Sequence, residues 1–118
     1  VERIALVRYS DVRAELISAL SVKVTMLRRA QQPETEVLAV FEEMVRVDPD
    51  DVAAWLDAGQ IRRRAARTRA ELEVAETYFE RAYELDPRDL DAHTNLVDLQ
   101  QDLARSDADL DLILQDVP

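Results

Sequence analysis

Apolar residues recur along this chain at intervals of three and four, the period of a helix with one buried face. Between residues 11 and 30 they stand at Val12, Leu16, Ile17, Leu20, Val24 and Leu27, which predicts a helix. Residues 1–9, apolar at Ile4, Ala5, Leu6 and Val7, either extend that helix or form a short one broken at Ser10-Asp11. Pro33 suits the first turn of the next helix, where a missing N–H costs nothing, and Val37, Phe41, Met44 and Val45 carry the stripe to Val47. A third helix carries Val52, Trp55, Leu56, Ala58, Gly59 and Ile61 and ends within a run of arginines. Thr68 and Glu71 have the spacing of a capping box and open a fourth helix with Leu72, Ala75, Phe79, Ala82 and Tyr83 on one face. A fifth follows with Leu90, His93, Leu96, Val97, Leu99 and Leu103, and Ser106 starts a last short one through Leu110, Ile113 and Leu114. The expectation is six or seven helices joined by short loops.

Two stretches punctuate this pattern identically. "FEEMVRVDPDDVAAW" begins at Phe41 and "FERAYELDPRDLDAH" at Phe79, thirty-eight positions later. Proline disfavours helical geometry in the residue before it, so Asp48-Pro49 and Asp86-Pro87 stop one helix. Asp51 and Asp89 then cap the next by accepting from its free N–H groups. A stop and a start recurring together imply stacked helical hairpins, because one hairpin cannot bury its apolar face alone.

Composition supports a helical chain. One glycine and four prolines in 118 residues leave little material for hairpins or phosphate-cradling loops, and 47% hydrophobic with 34% charged residues suits a folded soluble domain. The absence of cysteine excludes disulfides, thiolate metal sites and a cysteine nucleophile and leaves the compartment open; the cytoplasm is expected, or the bacterial periplasm if a leader or anchor precedes this segment. The chain starts at Val1 instead of Met, and it is expected to be an excised or processed piece. No apolar run approaches the roughly 20 residues that span a bilayer, so no membrane insertion is expected within it. The net charge of −10 is unevenly spread: residues 1–32 hold six basic and three acidic side chains, residues 33–85 seven and 13, residues 86–118 two and nine. Such a field repels nucleic acid and favours cationic partners.

The doubled segment resembles the tetratricopeptide repeat family. Trp55, Ala58, Gly59 and Arg62 stand at the first-helix places of that pattern, and Ala75, Phe79, Ala82 and Pro87 at the second-helix ones. Flanking matches are looser, at Val37, Phe41, Met44 and Pro49 and at His93, Leu96, Val97 and Gln100. Arg62 and Gln100 replace an expected aromatic, and the period is 38 where the family uses about 34, which places about one extra helical turn between Ile61 and Ala75. The resemblance implies a single all-α domain, a right-handed superhelix of stacked antiparallel hairpins, with repeats near residues 18–51, 52–89 and a partial 90–115 behind an extension over residues 1–17.

It also implies where a ligand would lie. First helices of successive hairpins line a concave groove in that family, and by register this groove would show Val22, Met26 and Arg29, then Leu56, Gln60 and Arg63, then Asp91, Thr94, Asn95, Asp98 and Asp102. It would be apolar at one end and acidic at the other. Some members grip a terminal carboxylate with Lys, Asn and Arg; here those places hold Val22, Met26, Asp57, Asp91 and Asn95, so a peptide or partner helix with a basic residue and an apolar anchor is the expected ligand. A self-associating module is the alternative, with the basic start of one copy attracting the acidic end of another.

Other chemistry is weakly supported. "RRRAARTR" from Arg62 reads as a helix end where cations complement the dipole, with no aromatics interleaved to stack bases. His93 is the only histidine, lacks a second ligand for zinc and is expected to pack. Asp107, Asp109 and Asp111 lack the glycine and closing glutamate of a calcium loop. No nucleophile, base and orienter can be assembled, so neither catalysis nor a cofactor is expected.

Overall fold

A computed structural model describes the backbone of residues 2–115 and the side chains of residues 12–106. Among the described residues there are five helices and no strand: α1 (Glu2–Arg29), α2 (Glu34–Val47), α3 (Val52–Ala65), α4 (Arg69–Leu85) and α5 (Leu90–Gln115). Each packs on the next, and α3 also touches α5. The long α1 and α5 draw the molecule out to 73 × 33 × 22 Å.

One alternative that the sequence leaves open is decided, and one expected helix break does not occur. The backbone runs unbroken through Ser10-Asp11, so residues 2–9 extend α1. It is equally continuous at Ser106, so the expected sixth helix is the end of α5. A serine or aspartate caps a helix only where the preceding chain leaves helical geometry, and no proline or glycine forces that exit at either place. The side chains of Asp107, Asp109, Asp111, Leu110, Ile113 and Leu114 lie outside the described residues.

The breaks that do occur have local causes. α1 ends in a Schellman motif: Gln31 adopts a φ of 55°, its N–H reaches the Arg28 carbonyl, and Gln32 N–H reaches Leu27. Pro33 sits one place earlier than expected, as the N-terminal flanking residue of α2, with its carbonyl accepting from Glu36. The Asp-Pro turns are the same structure twice. Asp48 N–H bonds the Met44 carbonyl as Asp86 bonds Ala82, and each aspartate carboxylate accepts from the backbone two residues on, Asp50 and Arg88. Asp51 then accepts from Ala54 N–H at 3.1 Å and Asp89 from Ala92 N–H at 3.2 Å. Thr68 caps α4 through Glu71 N–H at 3.2 Å, and the Glu71 carboxylate returns to the Thr68 hydroxyl and to Arg67 N–H.

The core is written twice on the same 38-residue offset. Val37, Phe41, Met44, Ala54, Ala58 and Ile61 pack with Leu20 and Val24 of α1 in one cluster. Ala75, Phe79, Ala82, Ala92 and Leu99 form the second, with Leu96 against it. Trp55 packs against both; its indole N–H is satisfied by the Pro49 carbonyl at 2.8 Å and its ring tilts on Tyr78 with centroids 5.3 Å apart. The two helices that end on the Asp-Pro turns differ in length, α4 having 17 residues where α2 has 14. The difference is therefore at the N-terminus, where Thr68 sets the start of α4.

The arginine run stitches helices together. Arg62 bonds Glu42 of α2, Arg63 bonds Asp102 of α5 at 2.5 Å, and Arg64 reaches Glu34 of α2 at 3.4 Å. Its three cations complement both the C-terminus of α3 and the acids of its neighbours. His93 is exposed where a buried or half-buried packing role is expected, and it packs only by one flank, its ring centroid 5.9 Å from that of Tyr83. A histidine is too small and too polar to fill the space that Trp55 fills one repeat earlier, so it stays at the rim.

Candidate functional site

Three exposed first-helix surfaces follow one another on α1, α3 and α5, and they meet differently from the register expected of them. On α1 the residues buried against α2 are Leu20 and Val24, flanked by Ile17 and Leu27. One side of that stripe carries Ser21 and Arg28. These share a depression of about 270 Å³ with Asp51, Ala53, Ala54 and Asp57, floored by Val24, Phe41 and Met44. Val22 and Met26, 57% and 64% exposed, turn the other way. They line a separate depression of about 420 Å³ with Ala19, Lys23, Leu27, Ala30, Gln32 and Glu36, to which α3 and α5 contribute nothing. Arg29 lies beside them by helical spacing and is exposed. Val22 and Met26, with Arg29 beside them, therefore face away from α3, and Ser21 and Arg28 are the α1 residues that stand beside it.

On α3, Leu56 is only 7% exposed and belongs to the second core cluster, so it packs against α4 and α5 instead of facing a ligand. The four-residue step from Leu56 to Gln60 crosses from the core to the rim, where Gln60 is half-buried. Arg63 is half-buried too, occupied by Asp102. The outer side of α3 runs instead through the exposed Ala53 and Arg64, with the half-buried Asp57 between them.

The polar residues of α5 differ in exposure. Asp91, Thr94 and Asp98 are exposed, and Asn95 and Asp102 are half-buried. Asn95 donates to its own helix at the Asp91 carbonyl, 2.7 Å away, and Asp102 is neutralised by Arg63. Asp91 and Asp98 remain as carboxylates with no ion pair among the described residues. The expected site thus splits into a polar and acidic part on α3 and α5, a shallow apolar-floored cleft between α1 and α3, and an outward face of α1.

Asp57 is the one cleft residue whose acidity is displaced. Burial pushes its carboxyl above the ordinary 3.8, opposed by Arg28, reinforced by Asp51 and opposed again by Arg64. A raised folded-state value means the neutral form is favoured on folding, so the stabilising contribution is complete below pH 3.8 and is lost as pH rises through the folded-state value. Asp57→Asn is expected to raise the melting temperature at pH 7 by a small amount, about 1–3 °C, and to have no effect at pH 3. Paired thermal scans at the two pH values test this; an equal shift at both would remove burial of the charge as the cause.

Among the described residues no group of three or more His, Cys, Asp or Glu side chains is disposed to hold a metal ion, and no helix is long and apolar enough to cross a membrane. In comparisons with known proteins, no family model matches the chain and none of the curated proteins is similar to it.

Proposed function

We propose that this protein is a non-catalytic interaction scaffold, a divergent tetratricopeptide-like array whose first helices bind a peptide or partner helix carrying basic residues. The observation that carries the reading is the pair of unneutralised carboxylates Asp91 and Asp98 on the open side of α5. They stand on one stripe with Asn95 and Asp102, and the depression floored by Val24, Phe41 and Met44 lies beyond α3. A ligand following α5, α3 and α1 meets acid first, then polar groups at Gln60, then an apolar floor rimmed by Arg28 and Asp57. Repetition of the core on one offset supports the array, and the buried Gly59–Phe79 contact supports the family likeness.

A display library of random dodecapeptides tests the charge of the ligand directly. The chain is expected to enrich peptides with Lys or Arg and an apolar residue. Asp98→Lys combined with Asp91→Asn is expected to weaken the enriched peptides about ten-fold in 0.1 M salt, with thermal stability nearly unchanged. Asp102 is left alone because reversing it also breaks its bond to Arg63. Enrichment of neutral or acidic peptides, or binding unaffected by the double variant, overturns the acidic groove.

A further inference from the structure

The face of α1 turned away from α2 has a pattern of its own. Val12, Leu16, Ala19, Lys23, Met26 and Ala30 follow one another at steps of four, three, four, three and four, the spacing of a coiled-coil seam. All six are exposed, Val12 to 62%, Leu16 to 39% and Met26 to 64%, and Val22 beside them to 57%. Four large apolar side chains in the open along about four turns are the mark of an interaction surface. From Ala19 onward they share the depression already described, which Lys23 and Glu36 rim.

Charge and size name the occupant. Laid antiparallel on itself, the seam pairs Val12 with Ala30, Leu16 with Met26 and Ala19 with Lys23 of the second copy, large against small in two of the three layers. The two-fold axis then passes beside Val22, which meets its own counterpart. On the same flank Glu15 meets Arg29 of the second copy, twice. Both are exposed, and neither has an ion pair among the described residues. The other flank is closed, since Leu20 and Leu27 are already packed against α2. A parallel arrangement would stack Lys23 on Lys23 in one layer, like charges in an apolar seam. Antiparallel, each lysine stem lies over the small Ala19 and its ammonium reaches solvent.

We infer that α1 pairs with α1 of a second copy, antiparallel and two-fold symmetric, through Val12, Leu16, Val22 and Met26 with reciprocal Glu15–Arg29 ion pairs. This face is separate from the acidic stripe on α5, so a dimer leaves Asp91 and Asp98 free. One helix pair forms a small interface, and its affinity belongs at the weak end, on the order of 10 µM. Closed two-fold pairing also stops at the dimer, whereas attraction between a basic start and an acidic end would continue into chains of copies.

Charge reversal tests the pairing. Sedimentation velocity over roughly 5–500 µM is expected to show a reversible dimer. Glu15→Arg and Arg29→Glu, both on exposed helix and checked for folding by circular dichroism, are each expected to weaken it about ten-fold, because every reversal acts at two symmetric pairs. The double reversal restores opposite charges and is expected to return the affinity to within about three-fold. Because the chain has no cysteine of its own, Leu16→Cys and Met26→Cys also report direction: oxidised together they form a mixed disulfide, and alone each stays largely unlinked. A wild-type chain monomeric throughout overturns the inference, as does a dimer indifferent to both reversals. Failure of the double reversal to restore affinity, or self-linkage of Leu16→Cys alone, overturns the antiparallel arrangement.

Discussion

Gly59→Ala is expected to destabilise the protein by about 1–2 kcal/mol, although alanine is the better helix former. Gly59 lies within α3, where its replacement would by propensity alone gain about 1 kcal/mol. A Cβ added there would stand 2.6 Å from Cε1 and 2.9 Å from Cδ1 of Phe79, closer than carbon atoms approach without one of them moving. Phe79 has nowhere to move: it is fully buried among Ala75, Ala82 and Leu99. Overpacking of this kind costs about 1–3 kcal/mol and exceeds the propensity gain. The measurement is a urea titration of the two proteins side by side, in which the midpoint should fall with the slope unchanged. Phe79→Leu supplies the control, because a smaller side chain at 79 gives the new methyl room. Its cost in the Gly59→Ala background should be less than its cost alone. A midpoint that rises on Gly59→Ala would mean α3 and α4 are not in this close approach.

Removing Glu42 is expected to cost about 2 kcal/mol as alanine and about 1 as glutamine. Its carboxylate accepts from Arg62 and, at 3.3 Å, from the Tyr78 hydroxyl, tying α2 to α3 and α4. The Arg62 guanidinium lies over the Tyr78 ring at 5.0 Å, and its Nε is buried without a partner. Burial by itself lowers its pKa, but the bond to Glu42 and the nearby Tyr78 outweigh this, so the pKa is held above the ordinary value. With Glu42 gone, the cation remains half-buried and has lost its counter-charge. Glu34→Ala provides the comparison. Its pair with Arg64 spans 3.4 Å, and both side chains are more than half exposed, so its loss should cost under about 0.5 kcal/mol. Equal effects of the two substitutions in chemical denaturation would show that the Glu42 network contributes no more than a surface ion pair.

Both results depend on contacts between helices, and those were only partly written in the sequence. Gly59 and Phe79 stand at places where a helical-hairpin repeat carries a small residue and an aromatic, but the approach that would leave an added Cβ at 59 only 2.6 Å from the Phe79 ring required α3 and α4 to pack. Glu42 and Arg62, twenty residues apart, carry no local sign of pairing. Arg62 stands where the repeat pattern has an aromatic, and the structure shows what the exchange provides: a cation lying on Tyr78 and bonded to Glu42.

What the sequence determined by itself was everything whose cause lies within a few residues. Asp48, Asp51, Asp86 and Asp89 make the same hydrogen bonds in both copies because an aspartate reaches only the backbone beside it. Thr68 and Glu71 fix the start of α4 for the same reason. The 38-residue offset of the buried positions also follows from the chain, since a helix that repeats its apolar spacing buries the same places. Tertiary structure decided which face of α1 is buried. Val12 and Leu16 share the helical spacing of Leu20, Val24 and Leu27, and only the position of α2 assigns the second group to the core and leaves the first in the open. It also placed Leu56 in the core and Ser21 and Arg28, instead of Val22 and Met26, beside α3. Periodicity states that a helix has an apolar face; with apolar residues on more than one side, the neighbour it packs against chooses which.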